Sequence, residues 1–598
     1  MEAGNGYCDI EDYGLIGDVN SAALVSKYGS IDWLCFPRFD SPSVFAALLD
    51  PEIGGRFAVC VEGEHEAHQA YIEDTNVLRT LLKTGDGSLE VVDYMPCYLK
   101  NEELEAFHEV HRRLRCMGGS VKAKILYQPR FGYGLGHTRL QVEDEGCLAQ
   151  GLKEWLSLAT DLPLRAGDGT CTAEEDLRGG DERWMVLRWN DDYLRPLEEF
   201  LPAEKLEKTV AFWRDWVNRC AFTGPLTPLV KRSMLALKLM TYEPTGAIIA
   251  APTTSLPEIP KGTKNWDYRY SWLRDSAFVL SAFHTCGYTE EERRFRHWII
   301  RRLRGHTLDP ENLQIMYGVE GDSVLEEKVL SHLRGYRGAK PVRSGNAAYS
   351  QFQLDVYGSV IDALHFSYHT EEDMNDDLWR TVEALANFVA ANWERPDSGI
   401  WELREVERNY VYSDVMAWVA MDRAVKIAQR WGNRRRAELW AKVRDEIREK
   451  VLQEGFDEEL GSFVMYYGGR EVDGSVLVMP LVGFLPGDDP RFLGSLERIR
   501  QELGNGPLVN RFREKGAREG AFLMLSFWMV DGLVAAGRLK EAREAFEEIV
   551  GYANHLGLFA EMLDPETKSF LGNFPQAFTH MALVNSAKKL MTAEGLGQ

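Results

Sequence analysis

The hydrophobic pattern of the chain changes near residue 190. Before that point, short segments rich in β-branched and aromatic residues lie between clusters of glycine and aspartate, as in Arg56–Glu62, Leu89–Met95 and Arg183–Trp189. Partly alternating segments of this length are typical of β-strands, and no helical pattern separates them. Strands joined by short turns favour an antiparallel β-sandwich, which we expect over residues 1–192.

The pattern after residue 192 is helical. Residues 193–224 combine this pattern with many polar side chains, which is typical of a linker helix between domains. At Thr227–Pro228 a hydroxyl precedes a proline, and a proline in the first helical turn loses no hydrogen bond. We therefore expect a second domain over residues 225–598 that begins with a helix.

Two kinds of helix are expected in this second domain. Ala521–Gly537 is apolar on nearly every side and must be buried all round, whereas Leu539–Tyr552 carries one apolar stripe and belongs on the surface. About 370 residues hold about twelve helices of ordinary length. Buried and amphipathic helices in succession indicate an (α/α)6 barrel. A solenoid of helical hairpins is the alternative, although no repeat of fixed period supports it.

Composition argues against several classes of partner and cofactor. The formal net charge of −23 disfavours binding to nucleic acid or to an anionic membrane surface. No apolar run approaches the ~18 residues that cross a bilayer, and Met1–Ile10 lacks the pattern of a signal peptide, so a cytoplasmic enzyme is expected. Nine cysteines without a CxxC pair indicate neither a disulfide framework nor a zinc site. We expect no metal and no cofactor, and a homo-oligomer is compatible with the sequence.

Two apparent motifs are set aside. The glycine-rich run Gly132–Gly136 precedes a strand-like sequence, so no helix N-terminus is offered to a phosphate. The segment His108–His111 is one residue shorter than a zinc-binding HExxH, and in a strand its two histidines would face opposite sides. These patterns therefore support neither a nucleotide-binding nor a metal-dependent enzyme.

Aromatic and charged residues crowd together in Asn265–Asp275, which contains four aromatic rings. Charged groups are rarely buried unless they are paired, so this segment is poor core material. Aromatic rings stack on the C–H faces of sugars, and Arg274 and Asp275 are suited to hydrogen-bond sugar hydroxyls. The alternative is a surface helix start with an Arg–Asp pair, but adjacent residues of a helix do not face each other.

Glutamates follow turns at two places in the helical domain, Glu402 after Pro396–Trp401 and Glu561 after Gly557–Ala560. Each alone is compatible with an ordinary solvated side chain. Glycoside hydrolysis needs one protonated carboxyl for the leaving oxygen and one ionised carboxyl that activates water or attacks carbon. An apolar neighbour such as Trp401 or Phe559 raises a carboxyl pKa by desolvation. Together the two glutamates favour a glycosidase.

At these residues the sequence resembles glycoside hydrolase family 15, the glucoamylase-like and trehalase-like inverting enzymes. The resemblance covers most of the chain and rests on the ordered motifs Tyr13–Asp18, Gly29–Asp40, Gly246–Thr253, Trp272–Asp275, Pro341–Asn346, Gly399–Glu402 and Gly572–Phe578. It implies a trehalase-like N-terminal domain and a barrel. Inversion in this family further implies a water between base and sugar, and carboxyl groups ~6.5–9.5 Å apart.

The resemblance also implies roles for individual residues. Glu402 matches the general acid, and Glu561 matches the general base that activates water. Arg274 and Asp275 match the pair that binds hydroxyls of the terminal glucose. Tyr268 falls where the family has a tyrosine beside the catalytic water. The remaining candidates for substrate binding are Trp272, Arg343 and Trp401.

The expected activity is an inverting, exo-acting hydrolysis that releases β-glucose from the non-reducing end of an α-glucan or α-oligoglucoside, as in a glucan 1,4-α-glucosidase. Trehalase is the near alternative, together with an isomaltose-type glucohydrolase. A glycan phosphorylase is less favoured because it needs no second carboxylate such as Glu561. A non-catalytic glycan-binding protein is disfavoured because both glutamates are retained. The expected partner is therefore a small-molecule α-glucoside.

The N-terminal segment Ser30–Asp40 crowds aromatic and charged residues into a strand and loop. The favoured interpretation is a sandwich edge that packs on the barrel. The alternative is a lid that closes the outer sugar-binding positions and restricts the enzyme to short substrates.

Overall fold

An antiparallel β domain opens the chain in the computed structural model, which describes residues 6–101, 103–304, 309–366, 375–404, 406–513 and 519–596. Its strands are β1 Tyr13–Gly17, β2 Ala22–Ser26, β3 Ser30–Cys35, β4 Ser43–Phe45, β5 Phe57–Val61, β6 Glu66–Tyr71, β7 Leu78–Lys83, β8 Gly87–Tyr94, β9 Cys97–Lys100, β10 Glu103–Ala106, β11 Glu109–Tyr127, β12 Arg139–Glu143, β13 Gly146–Gln150, β14 Trp155–Thr160, β15 Arg165–Gly167, β16 Thr170–Arg178 and β17 Glu182–Trp189.

One long strand connects the two layers of this domain. The first half of β11 pairs with β8 and β17, and its second half pairs with β5 and β16 after a register shift between Cys116 and Gly118. In the second half Val121, Ala123 and Ile125 are buried while the residues between them are partly exposed. This alternation is that of a strand with one face on a core. The two antiparallel sheets confirm the predicted β-sandwich.

Helices dominate the chain after the sandwich. They are α1 Pro202–Val217, α2 Thr227–Leu239, α3 Leu273–Thr285, α4 Thr289–Arg304, α5 Asp355–Phe366, α6 Asp376–Asn392, α7 Val411–Trp431, α8 Arg434–Glu454, α9 Pro490–Glu502, α10 Leu523–Ala535, α11 Leu539–Val550 and α12 Ala577–Ala593. Helix α1 lies within the segment expected to link the domains. It buries Trp213 and Trp216, and the Trp216 ring stacks on Tyr288 with centroids 4.2 Å apart.

Two concentric layers of helices form the C-terminal domain. The inner layer consists of α3, α5, α7, the 3-10 helix Gly474–Val478, α10 and α12, each in contact with the next and the last in contact with the first. Helices α2, α4, α6, α8, α9 and α11 pack outside this ring. A solenoid would leave its first and last helices apart, so the closed ring confirms the (α/α)6 barrel.

The two predicted kinds of helix occur where the pattern placed them. Every residue of α10 from Leu523 to Leu533 is buried, whereas α11 buries only Ala542, Phe546 and Ile549. Helix α2 begins at Thr227 with its proline in the first turn. In the described ranges, no helix is both long and apolar enough to cross a membrane.

The connections between the helices contain short antiparallel β-ribbons of two or three strands. Their strands are β18 Thr241–Tyr242, β19 Ala247–Ile248, β20 Ser271–Trp272, β21 Met316–Tyr317, β22 Lys328–Val329, β23 Arg343–Ser344, β24 Phe456–Asp457, β25 Ser462–Phe463, β26 Gly504–Asn505, β27 Leu508–Val509, β28 Ala521–Phe522, β29 Met562–Leu563 and β30 Phe570–Leu571. The ribbons β20–β21 and β28–β29–β30 hold the connections that lead into α3 and α10.

The segment Ser30–Asp40 packs the sandwich against the barrel. Trp33 donates from Nε1 to the carbonyl oxygen of Pro252 at 2.8 Å, and Asp40 accepts from the backbone N–H of Val319 at 3.1 Å. Both Trp33 and Phe39 are buried. These contacts support the expected structural role of the segment at the domain junction.

Candidate active site

A cavity of about 530 Å³ lies at the end of the barrel where the inner helices begin. Its walls come largely from the connections that precede those helices: Trp272 directly precedes α3, and Gln576 directly precedes α12. The N-terminal end of a helix carries a partial positive charge, which favours carboxylates nearby. No described residue of Ser30–Asp40 lines this cavity. That segment therefore supports the barrel rather than covering the cavity as a lid.

The segment 265–272 divides its side chains between the cavity and the sandwich. Trp266, Tyr268 and Trp272 line the cavity, as alternate residues of an extended chain can, whereas Tyr270 is buried outside its lining. The intervening Asp267 and Arg269 are fully buried and pair with each other at 2.6 Å. Arg269 also donates to the carbonyl oxygen of Ser41 in the sandwich at 2.6 Å. The N-terminal domain thus holds the cavity wall from behind.

Glu402 lies in a tight turn at the cavity wall. Its backbone φ is +55°, a left-handed conformation that is uncommon outside glycine, and its N–H donates to the carbonyl oxygen of Gly399 at 3.1 Å. Its Oε1 accepts from Nε1 of Trp272 at 2.8 Å and from the guanidinium of Arg274 at 3.2 Å. An uncommon backbone conformation beneath a carboxylate held by two donors is typical of a functional residue.

Arg274 and Asp275 line the buried part of the cavity at the start of α3. Arg274 donates to Oε1 of Gln353 at 2.8 Å and pairs with Asp355 at 3.4 Å. Burial raises the pKa of Asp275 to about 7; Arg274 opposes this rise, and Glu402 and Asp355 add to it. In the described structure Oδ1 of Asp275 is buried without a hydrogen-bond partner. It lies 3.4 Å from Nε of Arg274, so the two side chains form an ion pair although they are adjacent in the helix.

Glu561 is buried in another wall of the cavity. Its Oε1 accepts from the hydroxyl of Tyr268 at 2.9 Å. Burial raises the pKa of Glu561 well above its usual value, and the charge of Glu258 raises it further, whereas Arg511 and the Tyr268 hydrogen bond lower it. The backbone of Gly572 packs against the carboxyl group of Glu561, and a Cβ at this position would lie 2.2 Å from Oε2. Only glycine fits this position without displacing the carboxylate.

Glu258 and Arg511 also line the cavity, and neither was predicted from the sequence. Arg511 donates to Oε2 of Glu258 at 2.6 Å and to Oε2 of Glu519 at 2.7 Å, and Lys264 pairs with the other oxygen of Glu519. Two segments remote in sequence, 258–264 and 511–519, meet in this network, so no local pattern connects them. The one available signal was the position of Glu258 shortly before the aromatic segment.

Trp401 lines the cavity beside Glu402, as expected. Its Nε1 donates to Asp473 at 2.9 Å, and its ring packs edge to face against Phe522 with centroids 5.8 Å apart. Asp473 also accepts from the backbone N–H of Ser475 at the start of the 3-10 helix of the inner ring. The ring of Trp401 is therefore fixed from two sides.

Arg343 lies behind the cavity wall and does not line the cavity. Its Nε pairs with Glu327 at 2.9 Å, and its Nη1 donates to the carbonyl oxygens of Thr263 and Asn265. Its guanidinium lies 4.3 Å from the ring centroid of Trp266. Arg343 was expected to bind substrate, but its side chain is directed to the back of this wall.

The predicted acid and base are connected through two aromatic rings. Trp272 donates to Glu402, Tyr268 donates to Glu561, and the two rings pack edge to face with centroids 5.4 Å apart. Every other predicted site residue lines the same cavity, and Arg343 alone does not. The roles assigned to these residues stay predictions. Within the described ranges, no group of three or more His, Cys, Asp or Glu side chains is arranged to hold a metal ion.

A helical barrel with two carboxylates in one cavity, among tryptophan, tyrosine and arginine side chains, defines a class of protein, the glycoside hydrolases. The model of the glycosyl hydrolases family 15 matches residues 225–588, and that of the trehalase-like N-terminal domain matches residues 3–161. The chain belongs to glycosyl hydrolase family 15 and is a glycoside hydrolase.

Similar proteins extend over the whole chain. A protein named trehalase from Thermoplasma volcanium is 37% identical, over 98% of this chain and 94% of its own. A trehalase from Mycobacterium tuberculosis is 36% identical, over 99% of this chain and 91% of its own. A bacterial glucoamylase crystallised with acarbose superimposes with a TM-score of 0.76 at 14% identity, over 99% of this chain and 96% of its own. That structure shares the fold.

Proposed function

We propose that this enzyme hydrolyses α,α-trehalose with inversion at the carbon that is attacked. The observation that carries the proposal is the pair of carboxylates in one cavity, Glu402 held by the donors of Trp272 and Arg274, and Glu561 held by Tyr268. From the sequence alone, α-glucan hydrolysis was the leading expectation and trehalose hydrolysis the alternative. Relatives named trehalase, similar over nearly their full length, support the reverse order.

One glucose of the substrate occupies the buried part of the cavity, where Arg274 and Asp275 bind its hydroxyls. Glu402 donates its proton to the glycosidic oxygen as the bond to the anomeric carbon breaks. Because Oε1 of Glu402 accepts both hydrogen bonds from the protein, the transferable proton belongs on Oε2. The leaving glucose then departs with a new hydroxyl.

Water supplies the second half of the reaction. A water molecule on the side of the glucose remote from Glu402 attacks the anomeric carbon while Glu561 accepts its proton, so the carbon inverts. The hydroxyl of Tyr268 orients the carboxylate of Glu561 for this step. Glu561 must be ionised to accept the proton, and Arg511 favours that state by lowering its pKa against the effect of burial. Proton exchange with solvent restores both carboxyl groups.

The substrate is tested by comparing kcat/KM on trehalose, maltose, isomaltose and maltotriose. We expect trehalose to give the highest value. A preference for maltose or maltotriose would instead support a glucan 1,4-α-glucosidase, and a preference for isomaltose an isomaltose-type glucohydrolase.

The stereochemistry is tested by proton NMR during the first minutes of trehalose hydrolysis. Inversion at one carbon gives β-glucose from the attacked ring and α-glucose from the leaving ring, in equal initial amounts. Initial formation of α-glucose alone would contradict inversion. Formation of glucose 1-phosphate in phosphate buffer would contradict hydrolysis.

A further inference from the structure

The lining residues of the cavity differ in exposure according to their depth. Arg274 is 5% exposed in its side chain and Asp275 11%, whereas Glu402 is 21% exposed and Arg404 35%. The terminal glucose belongs in the buried part, so the sugar that leaves must lie on the exposed side of Glu402. Arg404 follows the predicted acid by two residues and lines the cavity on that side.

Two arginines contact the ring of Trp266: Arg404, which lines the cavity, and Arg343, which lies behind its wall. The guanidinium carbon of Arg404 lies 4.0 Å from the ring centroid, and that of Arg343 lies 4.3 Å from it. Glu327 pairs with both arginines at 2.9 Å. Arg404 further donates to Oδ1 of Asn346 at 3.3 Å. An arginine held over an aromatic ring by two polar partners is pre-organised, so it loses little side-chain entropy on binding.

We propose that Arg404, held over Trp266 by Glu327, binds hydroxyls of the leaving sugar, and that Arg343 positions this unit without touching the substrate. The inference rests on the proposed hydrolysis of a glucoside with a sugar leaving group. It accounts for the location of Arg343 behind the wall, because Arg343 also donates to the carbonyl oxygens of Thr263 and Asn265, which lead into Trp266.

A comparison of two substrates isolates the leaving sugar. Trehalose carries a glucose on the exposed side of Glu402, whereas α-glucosyl fluoride carries only fluoride there. Arg404→Ala should lower kcat/KM on trehalose by about 10- to 100-fold, the loss expected for a charge-assisted hydrogen bond, and should leave α-glucosyl fluoride within about 3-fold of wild type. Arg404→Lys keeps the charge but loses the planar stack, so it should restore only part of the activity on trehalose.

The matched control is Arg395→Ala. The guanidinium of Arg395 lies 4.0 Å from the ring centroid of Phe352, the same stacking distance as in the Arg404 pair, but Arg395 lies outside the cavity. Its replacement should leave kcat/KM unchanged on both trehalose and α-glucosyl fluoride. Equal losses on trehalose and fluoride for Arg404→Ala, or no loss on either, would overturn the proposal. Arg404→Gln provides a second test should the alanine variant fail to fold.

The positioning role of Arg343 is tested with a double-mutant cycle. Arg343→Ala should lower kcat/KM on trehalose and spare α-glucosyl fluoride, and the double variant with Arg404→Ala should lose no more than Arg404→Ala alone. Additive losses would contradict action through Arg404. Should wild type prefer maltose, the proposed function fails, while the same comparison with maltose in place of trehalose still tests Arg404.

Discussion

The predicted acid and the predicted base carry the same side chain into one cavity but have different surroundings. Glu402 is partly exposed, lies in a turn with positive φ, and accepts hydrogen bonds from Trp272 and Arg274. Glu561 is buried, accepts one hydrogen bond from Tyr268, and lies under the backbone of Gly572. Nearby donors orient the first carboxylate, and close packing holds the second.

In the proposed reaction this difference lets one residue type serve two roles. A proton donor must give up its proton toward the leaving oxygen, and an exposed carboxyl in a turn is close to the side on which the leaving group departs. A base works on water in a shielded position, and burial raises the pKa of Glu561, which makes its carboxylate a stronger proton acceptor once ionised. In lysozyme burial raises the pKa of the acid instead, so in this chain Arg511 is needed to oppose the effect of burial on Glu561.

The largest expected effects come from removing each carboxylate in turn. Glu402→Gln and Glu561→Gln should each lower kcat on trehalose by roughly 10²- to 10⁴-fold, the contribution of general acid or base catalysis. On α-glucosyl fluoride, Glu402→Gln should recover much of its rate because fluoride needs little protonation. Glu561→Gln should not recover, because the attacking water still needs a base. Stopped assays of glucose release measure all four values.

If Glu561 is the acid and Glu402 the base, the expected rates of Glu402→Gln and Glu561→Gln on α-glucosyl fluoride are interchanged. Recovery of Glu561→Gln on fluoride, together with continued inactivity of Glu402→Gln, would assign the acid to Glu561. Near wild-type activity of Glu561→Gln on trehalose would contradict any role for it as base.

A smaller effect is expected from filling the space above Glu561. In Gly572→Ala the new Cβ would lie 2.2 Å from Oε2, so the carboxylate must move. We expect kcat to fall by roughly 10- to 100-fold, because a displacement of about 1 Å at a catalytic group costs rate on this scale. The measurement is kcat on trehalose alongside the free energy of unfolding in denaturant.

Gly537→Ala is the control for backbone strain. Gly537 has φ +74°, the same value as Gly572, but a Cβ there would have no atom within 4 Å. Both variants should lose about 1 kcal/mol or more of folding stability, since a non-glycine residue in this conformation is strained. Only Gly572→Ala should lose kcat. Equal kcat in both variants would show that the Glu561 carboxylate tolerates the shift.

Much of the architecture and the two candidate glutamates were accessible from local sequence patterns, whereas their roles as acid and base came from the resemblance to family 15. The change of period near residue 190 predicted a sandwich and a barrel, and Ala521–Gly537 predicted a buried helix, because burial on all sides requires apolar residues on all sides. Glu402 and Glu561 stood out as carboxylates in aromatic segments after turns. The buried helix and the two glutamates are each contained in one short segment, so the local sequence is enough to predict them.

The rest of the site depends on contacts between distant segments. Glu258 and Arg511 are separated by more than two hundred residues, and their pairing beside Glu561 exists only once the barrel has closed. Arg343 was placed in the correct region, but nothing in its motif indicates that its side chain is directed behind Trp266. The position of Trp266 could have been predicted, because Trp266 lies on the same side of an extended segment as Tyr268 and Trp272, which line the cavity.

The smallest expected effect concerns the charge next to the predicted base. Glu258 raises the pKa of Glu561, so Glu258→Gln should lower that pKa while its amide oxygen still accepts from Arg511. In the proposed mechanism Glu561 acts in its ionised form, so activity should rise with pH as Glu561 loses its proton. The acidic limb of kcat/KM should consequently move to lower pH, by roughly 0.5–1 pH unit.

The pH dependence of kcat/KM on trehalose reports this shift in the free enzyme. Glu471→Gln removes another carboxylate that lines the same cavity, but this one is exposed to solvent, so screening should leave the acidic limb nearly in place. A similar shift in both variants would indicate a general effect of net charge. An upward shift in Glu258→Gln would mean that Glu258 acts mainly by holding Arg511 in place. Glu258 would then belong to the packing around the predicted base. Burial alone would in that case account for the raised pKa of Glu561.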